Sequence, residues 1–469
     1  MGKNKFTKNR PSGRFFLMMK INEIIQLNIL RLGSNGEGVA NHQGLTIFVQ
    51  GALPKERVLA KITLVKKNYA LASLQKILEE APERVSPPCS IYAQCGGCQL
   101  QHYAYEAQLQ AKTGQVQDAL QRIGHLGSTV LPALGMKNPW FYRNKMQLPV
   151  QNKEGLLEIG CYAQKTHGVI DTKNCLIQES ANNQVLFAMR FWMEKYAVAA
   201  YDEKSAEGLV RHIMARTGFS KDGKPQVLAV LIATKANLPF EKELVDILCS
   251  KVKNLVGVVV NINSKKGNII LGKQCRTIWG RDYLLDCLGS LEFKVSPLSF
   301  FQVNRSQAQV LYSKVLEFAD LKGDEKVADI YCGTGTISLY LALRAKKVYG
   351  IEIVPQAIDD AKDNALANGI SNASFLVGDA AEELPKLLSQ GFRPDIVVVD
   401  PPRAGCEEKV LESILKVEPQ KIIYVSCNPA TLARDLGILR TKYKILKVQP
   451  IDMFPQTTHV ETVVELIRI

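Results

Sequence analysis

Asp329-Ile-Tyr-Cys-Gly-Thr-Gly335 decides the fold: an apolar strand, Val327–Tyr331, runs into a glycine-rich turn, and a helix is expected to leave it over Thr336–Arg344. Outward from that turn the same rhythm repeats. Lys347–Ile351 reads as a strand and Pro355–Asn368 as a helix with proline in its first turn. Ser374–Val377, a helix from Glu382, Asp395–Val399, a helix from Glu407 and Lys421–Val425 follow. Strand–helix alternation of this kind predicts a parallel, doubly wound sheet. The ligand of such a sheet sits at the carboxyl ends of its strands. This expected α/β domain spans 296–469.

Three acids stand where those strands end. Glu352 closes the second strand, where a carboxylate can take both hydroxyls of a ribose; Asp379 closes the third and Asp400 the fourth. A dinucleotide site would carry a third glycine at position 338, with pyrophosphate on the helix N-terminus. That position is Ser338, so a nucleoside without phosphates fits better. The plainer alternative is a Rossmann-like sheet whose acids only cap helices.

Ser426-Cys-Asn-Pro429 follows the fifth strand and opens a helix. A cysteine there feels the positive end of the helix, which lowers its pKa and raises its thiolate fraction. The competing reading is a small buried hydrophobe. Glu461, in His459-Val-Glu-Thr462 on the last strand, is the candidate general base, set against a solvent-facing Glu in an alternating strand.

The N-terminal half is organised differently. Residues 1–20 hold Lys3, Lys5, Lys8, Arg10, Arg14 and Lys20 and no acid. Residues 21–80 read as about five short strands, the density of a small OB-like barrel. A proline-bearing linker leads into a central domain over 81–295, with a helix at 103–123 and strands such as Val227–Ala233, Val256–Asn263 and Ile269–Leu271. The net charge of +14, from 59 basic against 45 acidic residues, favours a polyanionic partner. No apolar run is long enough for a membrane helix, and the N-terminus lacks the apolar core of an export signal, so a cytoplasmic location and no membrane partner are expected.

Eleven cysteines in a reducing compartment are read as ligands or nucleophiles before disulfides. Cys89-x5-Cys95-Gly-Gly-Cys98 groups three thiols, and a fourth would come from Cys161 or Cys175. Structural zinc usually shows two short pairs, whereas iron–sulfur clusters accept a grouped trio with a remote fourth cysteine.

The glycine turn with its strand-end acids resembles the class I methyltransferases that bind S-adenosylmethionine. Asp400-Pro-Pro-Arg-Ala-Gly405, Ser426-Cys-Asn-Pro429, His459-Val-Glu461 and Phe300-Phe-Gln-Val-Asn304 resemble, in order and setting, the RNA uridine-5-methyltransferase family. The resemblance covers nearly the whole chain. It implies a multidomain α/β protein: an N-terminal OB-like RNA-binding barrel (TRAM), a β-rich central domain with an iron–sulfur cluster, and a C-terminal class I Rossmann-like methyltransferase. It implies that Cys427 is the nucleophile and Glu461 the base, with Gln302, Tyr331, Glu352 and Asp400 on S-adenosylmethionine. It further implies a [4Fe–4S] cluster on Cys89, Cys95, Cys98 and Cys175, and that 103–134 packs with the catalytic domain. The expected partner is RNA, 23S rRNA first and tRNA as the alternative, and the expected state is a monomer. An amino methyltransferase would carry an aromatic residue after Pro402; Arg403 stands there.

Overall fold

The computed structural model describes residues 19–164 and 166–469. The basic segment expected over 1–20 therefore lies outside the described residues, save its last two. The chain divides into two compact units, one ending at Val85 and one running from Ser86 to Ile469.

The first unit contains β1 (Ile24–Asn28), β2 (Arg31–Leu32), β3 (Gly38–His42), β4 (Leu45–Gln50), β5 (Arg57–Val65) and β6 (Tyr69–Glu79). Among the described residues they form one sheet, in the order β1-β5-β6-β4-β3-β2, antiparallel except where β4 meets β6. Alternation along β5 sends Val58, Ala60 and Ile62 inward, against Ile47 and Val49 of β4. Glu56 is buried beside them. Its carboxylate takes the Leu53 amide at 2.8 Å and the Arg84 guanidinium at 2.5 Å, which ties the end of the unit back to its sheet.

The second unit opens with α1 (Tyr105–Arg122), then β7 (Lys145–Lys153), β8 (Leu156–Tyr162), β9 (Val169–Asp171), α2 (Ser180–Lys195), β10 (Val210–Phe219), β11 (Pro225–Ala233), α3 (Glu241–Lys251), β12 (Leu255–Ile262) and β13 (Gln274–Gly280). A hairpin, β14 (Leu284–Leu288) and β15 (Leu291–Val295), follows. The larger sheet runs β13-β12-β11-β10-β7-β8-β9. One face of it buries Trp192 and Met189 of α2 and Leu244 and Leu248 of α3. On the other, Met214, Leu228, Val230 and Val259 join the core of the catalytic part. Burial on both faces explains why β11 reads as a near-continuous apolar run over Val227–Ala233.

Ile269–Leu271, expected as a strand, is a loop. Its backbone bonds go to side chains instead: Asn263 donates to the Ile269 and Ile270 carbonyls, and Asn261 bonds both sides of Gly272. The helices α2 and α3 went unread: α3 buries only Leu244 and Leu248, whereas α2 did carry a helical signal in Val185, Leu186, Ala188, Met189, Trp192 and Met193.

The catalytic part comprises α4 (Arg305–Ala319), β16 (Lys326–Ile330), α5 (Thr336–Ala342), β17 (Lys347–Glu352), α6 (Pro355–Ala367), β18 (Ala373–Val377), α7 (Ala380–Ser389), β19 (Ile396–Val399), α8 (Glu408–Val417), β20 (Lys421–Ser426), α9 (Pro429–Leu439), β21 (Tyr443–Ile451) and β22 (Glu461–Arg468). The sheet order is β18-β17-β16-β19-β20-β22-β21, parallel through β20, with β22 antiparallel to both neighbours. Helix α7 starts two residues before the expected Glu382 because Asp379 caps it, accepting the Ala381 amide at 2.8 Å.

Helix α1 lies on this sheet despite its early position. Val116 and Leu120 share a core with Leu436 and Leu439 of α9. Lys112 and Asp452, both fully buried, form an ion pair, and Tyr105 donates to the same carboxylate at 2.8 Å.

Candidate active site

The turn after β16 is built for close approach. Tyr331 adopts a left-handed backbone (φ 66°), unusual for a bulky residue and a mark of a constrained site. Gly335 has φ 79°, and a Cβ there would stand 3.0 Å from both Ala361 and the Phe375 ring, so no larger residue fits without displacing the helix behind it.

The other expected contacts converge on this turn. Glu352, at the end of β17, accepts the Gly333 amide at 3.3 Å and the Val354 amide at 3.0 Å. Thr334 donates to the Phe300 carbonyl at 3.4 Å, which holds the segment of Gln302 against the turn. The Asp400 amide bonds the Ile330 carbonyl at 3.3 Å, so Asp400 lies at the mouth of the next strand. Gln302, Tyr331, Glu352 and Asp400 thus surround one turn. Asp379, also singled out, is occupied as the cap of α7.

These acids feel one another. Burial pushes Asp400 up to about 6. Asp329 lies beneath the turn, fully buried and hydrogen-bonded to Ser338; burial, then the charges of Asp400 and Glu352, push it up to about 7.

Cys427 follows β20 and Glu461 begins β22. The antiparallel register pairs Val425 with Val463 and Ser426 with Thr462, which sets Cys427 and Glu461 at the next opposing positions. Glu461 is only 6% exposed, so it does not face solvent. Burial first, then Asp400, hold its carboxyl well above the usual range, while Arg403 pulls it down. The sequence expectation for Cys427 is overturned in sign: burial, Glu461 and Asp400 push its thiol up to about 11 against Arg403. Desolvation and two carboxylates outweigh the field of one helix end.

Two residues of this site were missed in the sequence reading. Arg403 is the cation whose charge acts on both Cys427 and Glu461. Asp435 is a buried hub: it accepts the Cys406 amide at 2.8 Å and the Tyr424 hydroxyl at 2.6 Å, and pairs with Arg434, which in turn bonds the Ala404 carbonyl. Gly405, at φ 81°, leaves no room for a Cβ, which would meet Arg434 and Asp435 within 2.7 Å. Asn428 caps α9 by accepting the Ala430 amide and donates to the Arg403 carbonyl at 3.0 Å. The loop carrying Asp400 and Arg403 is thereby locked to the helix that follows Cys427. An acid inside the apolar face of α9, among Leu432, Ala433, Leu436 and Leu439, was the available signal for Asp435.

The grouped cysteines occupy a separate place. A cavity of about 320 Å³ is lined by Cys89, Cys95, Cys98, Cys161 and Cys175, with Arg143 and Lys145 beside them. Burial, and then the charges of Cys175, Cys95 and Cys89, push Cys98 up to about 12. Cys161 hydrogen-bonds the Cys95 sulfur. Among the described residues no three such side chains stand close enough to grip a single metal ion.

A doubly wound sheet with this glycine turn and these strand-end acids defines the class: a methyltransferase of the S-adenosylmethionine-dependent kind. Residues 234–469 match the tRNA (uracil-5-)-methyltransferase family, and residues 20–74 match the TRAM domain. A Clostridium tetani protein carrying the name uncharacterized RNA methyltransferase is 48% identical over 447 residues, covering 95% of this chain and 96% of its own. One from Bacillus cereus, similarly named, is 47% identical over 450 residues, covering 96% and 97%. Among solved structures, the Pyrococcus abyssi tRNA (uracil-54, C5)-methyltransferase in complex with S-adenosyl-L-homocysteine superposes with a TM-score of 0.75 at 28% identity, over 94% of this chain and 99% of that one. The chain belongs to the tRNA (uracil-5-)-methyltransferase family: it is an S-adenosylmethionine-dependent RNA methyltransferase with a TRAM domain.

Proposed function

We propose that the enzyme methylates carbon 5 of a uridine through a covalent intermediate on Cys427, and that 23S rRNA is its substrate. The observation that carries the mechanism is the juxtaposition of Cys427 and Glu461 on adjacent strands, beside Asp400 and Arg403. Carbon 5 of uracil is a poor nucleophile. Addition of the Cys427 thiolate to carbon 6 turns the ring into an enolate, whose carbon 5 takes the methyl group. Glu461 then removes the carbon 5 proton, and β-elimination returns the electron pair to sulfur and frees Cys427. S-adenosylmethionine, held by Gln302, Tyr331, Glu352 and Asp400, supplies an electrophilic methyl group on a cationic sulfur. Arg403 opposes the charges that disfavour the thiolate, which makes it a positioning residue for that ionisation.

The donor set of the cysteine cavity fits a [4Fe–4S] cluster on Cys89, Cys95, Cys98 and Cys175. A single zinc draws its thiolates to about 2.3 Å from one centre. Thiols spread round a cavity of about 320 Å³ suit the larger cage of a cluster. Metal binding would also offset the burial that keeps Cys98 protonated. Anaerobic purification should give a brown protein with about four irons per chain; a colourless protein with one zinc overturns the assignment.

The likeness to the Pyrococcus abyssi enzyme favours tRNA as the second reading of the substrate. Labelled methyl transfer to unmodified 23S rRNA and tRNA, with wild type and Cys427→Ala, decides between them. Product in 23S rRNA that vanishes in the variant supports the proposal. Product in tRNA alone moves the substrate, and methylation without Cys427 removes the mechanism.

A further inference from the structure

A second cavity, of about 460 Å³, adjoins the cysteine cavity, with Gly97, Gln147 and Cys161 lining both. It is lined by Gly97, Gln147, Tyr162, Gln164, His212 and Ile270. His212 is 5% exposed, and among the described residues neither ring nitrogen has a hydrogen-bond partner. A buried imidazole with nothing to bond is costly and calls for an explanation. Burial and then Arg211 push His212 down to about 4, so near neutral pH the ring offers one donor and one acceptor.

The rest of the lining has the same character. In the register of β10 with β7, His212 faces Pro149 and Met214 faces Gln147, so His212 and Gln147 share one face of the sheet. Gln147 and Gln164 add amides. Tyr162, half-buried at the end of β8, offers an aromatic ring, itself set edge-on to His167 at 5.7 Å. Among the described residues no charged side chain lines the cavity. Exposed cations, Lys265 and Lys266, precede Ile270 by five and four residues in the loop that leads to it. That loop is fixed from behind: the buried Arg211 donates to the carbonyls of Asn263, Lys265 and Gly267 at 3.1, 2.5 and 3.2 Å.

We propose that this cavity binds a second unstacked nucleobase of the RNA substrate, one other than the methylated uridine. A flat, neutral heterocycle with donors and acceptors on its edge matches a lining of amides, one imidazole and one phenol ring, and the volume lies within the roughly 300–1,000 Å³ of small-ligand sites. Phosphates flanking that base fall to Lys265 and Lys266. Holding a second base out of the stack fixes the RNA strand at two points, so the target uridine is presented by the fold of the strand and not by its own pairing alone. The inference rests on the reading of the chain as an enzyme that acts on a flipped uridine.

The test uses the full chain loaded with S-adenosylhomocysteine and unmodified 23S rRNA and tRNA transcripts. His212→Ala empties the cavity wall, and Ile270→Trp fills the cavity from its rim. Both variants should weaken RNA binding by about tenfold or more, the size of one lost base contact. Both should leave S-adenosylhomocysteine affinity and the visible absorbance of the protein unchanged. Chemical probing should show one base, besides the methylated uridine, protected on its Watson–Crick edge in the wild-type complex and released in both variants. Dissociation constants within about twofold of wild type for both variants, too little for a lost stacked base, overturn the proposal, as does an unchanged protection pattern. Methylation by the wild type reports the parent reading separately: if no transcript gains 5-methyluridine that reading fails, while binding and protection still judge the cavity.

Discussion

Replacing Lys112 with Met should destabilise the second unit and impair methyl transfer more than cofactor binding. Lys112 of α1 and Asp452, just past β21, are 1% and 0% exposed at their side chains, and Lys112 also donates to the Phe454 carbonyl at 3.1 Å. Burial lowers the Lys112 pKa even though Asp452 opposes it, which shows how little water reaches the pair. In Lys112→Met the Asp452 carboxylate keeps the Tyr105 hydroxyl as a donor and loses its countercharge. Removing one partner of a buried pair costs about 3–5 kcal/mol. At about 2 °C per kcal/mol for a unit of this size, the melting transition should fall by roughly 6–10 °C. The segment from Asp452 to Glu461 is the one released, whereas Glu352 and Gln302 belong to other elements. Calorimetry with isothermal titration of S-adenosylmethionine and a methyl-transfer assay reads all three quantities. A double-mutant cycle with Asp452→Asn isolates the pair. A melting point within about 2 °C of wild type, or a coupling below about 1 kcal/mol, refutes the argument that this pair fastens α1 to the catalytic sheet.

Four further outcomes follow from the site. Glu461→Gln should slow turnover by about 10²–10⁴-fold and accumulate an RNA–protein adduct stable to denaturing electrophoresis, because in the proposed mechanism proton removal comes after the carbon–sulfur bond forms; turnover without adduct would assign the base elsewhere. Alkylation of Cys427 by iodoacetamide, followed by peptide mass spectrometry, should rise about tenfold per pH unit from pH 7 to 10 in the ligand-free protein, since the thiol sits at about 11; a plateau by pH 8 would contradict that. S-adenosylmethionine should bind more tightly as pH rises from 5 to 8, because Asp400, held at about 6, gains the charge that attracts a sulfonium. S-adenosylhomocysteine, which lacks that charge, should change less, and equal slopes would refute the electrostatic account. Asp329 is raised to about 7 in the folded protein against an ordinary value of 3.8, so its contribution to stability is fully present below pH 4 and lost as pH rises through 7. The melting temperature should therefore fall from pH 5 to 8, and Asp329→Asn should flatten that fall; an unchanged slope would remove Asp329 as its source.

What could be read from the sequence was what a short window encodes. The strand–turn–helix at Asp329–Gly335, the capped helices and the strand-end acids are local patterns, and the parallel sheet follows from their alternation. Lys112 and Asp452 lie 340 residues apart, and each alone looks like a surface charge. Asp435 sits in the apolar face of α9, but the Tyr424 hydroxyl and Cys406 amide that occupy its carboxylate come from other segments, 11 and 29 residues away. The register of β22 against β20 is likewise non-local, yet it is what carries Glu461 from an alternating strand to the position opposite Cys427.

The ionisation of the site was the least legible part, because pKa values are set by how much water and which charges surround a group, and a sequence states neither. A helix end gave a correct local force on Cys427 and the wrong net sign. Asp329, Asp400 and Glu461 are all raised, chiefly by burial, with Asp400 adding to the other two, and Cys427 is raised in the same neighbourhood. Three carboxyls and a thiol all pushed towards their neutral forms do not make a site that is ready to react on its own. They make a site whose negative charges emerge together once positive charge is brought to it. Arg403 is exposed, and its charge lowers Cys427 and Glu461, so its guanidinium covers part of that need. The remainder matches a ligand that carries a fixed cation beside the atom it delivers. On this reasoning the burial that makes Cys427 a poor nucleophile in the free protein also keeps it unreactive towards solvent electrophiles until the site is loaded.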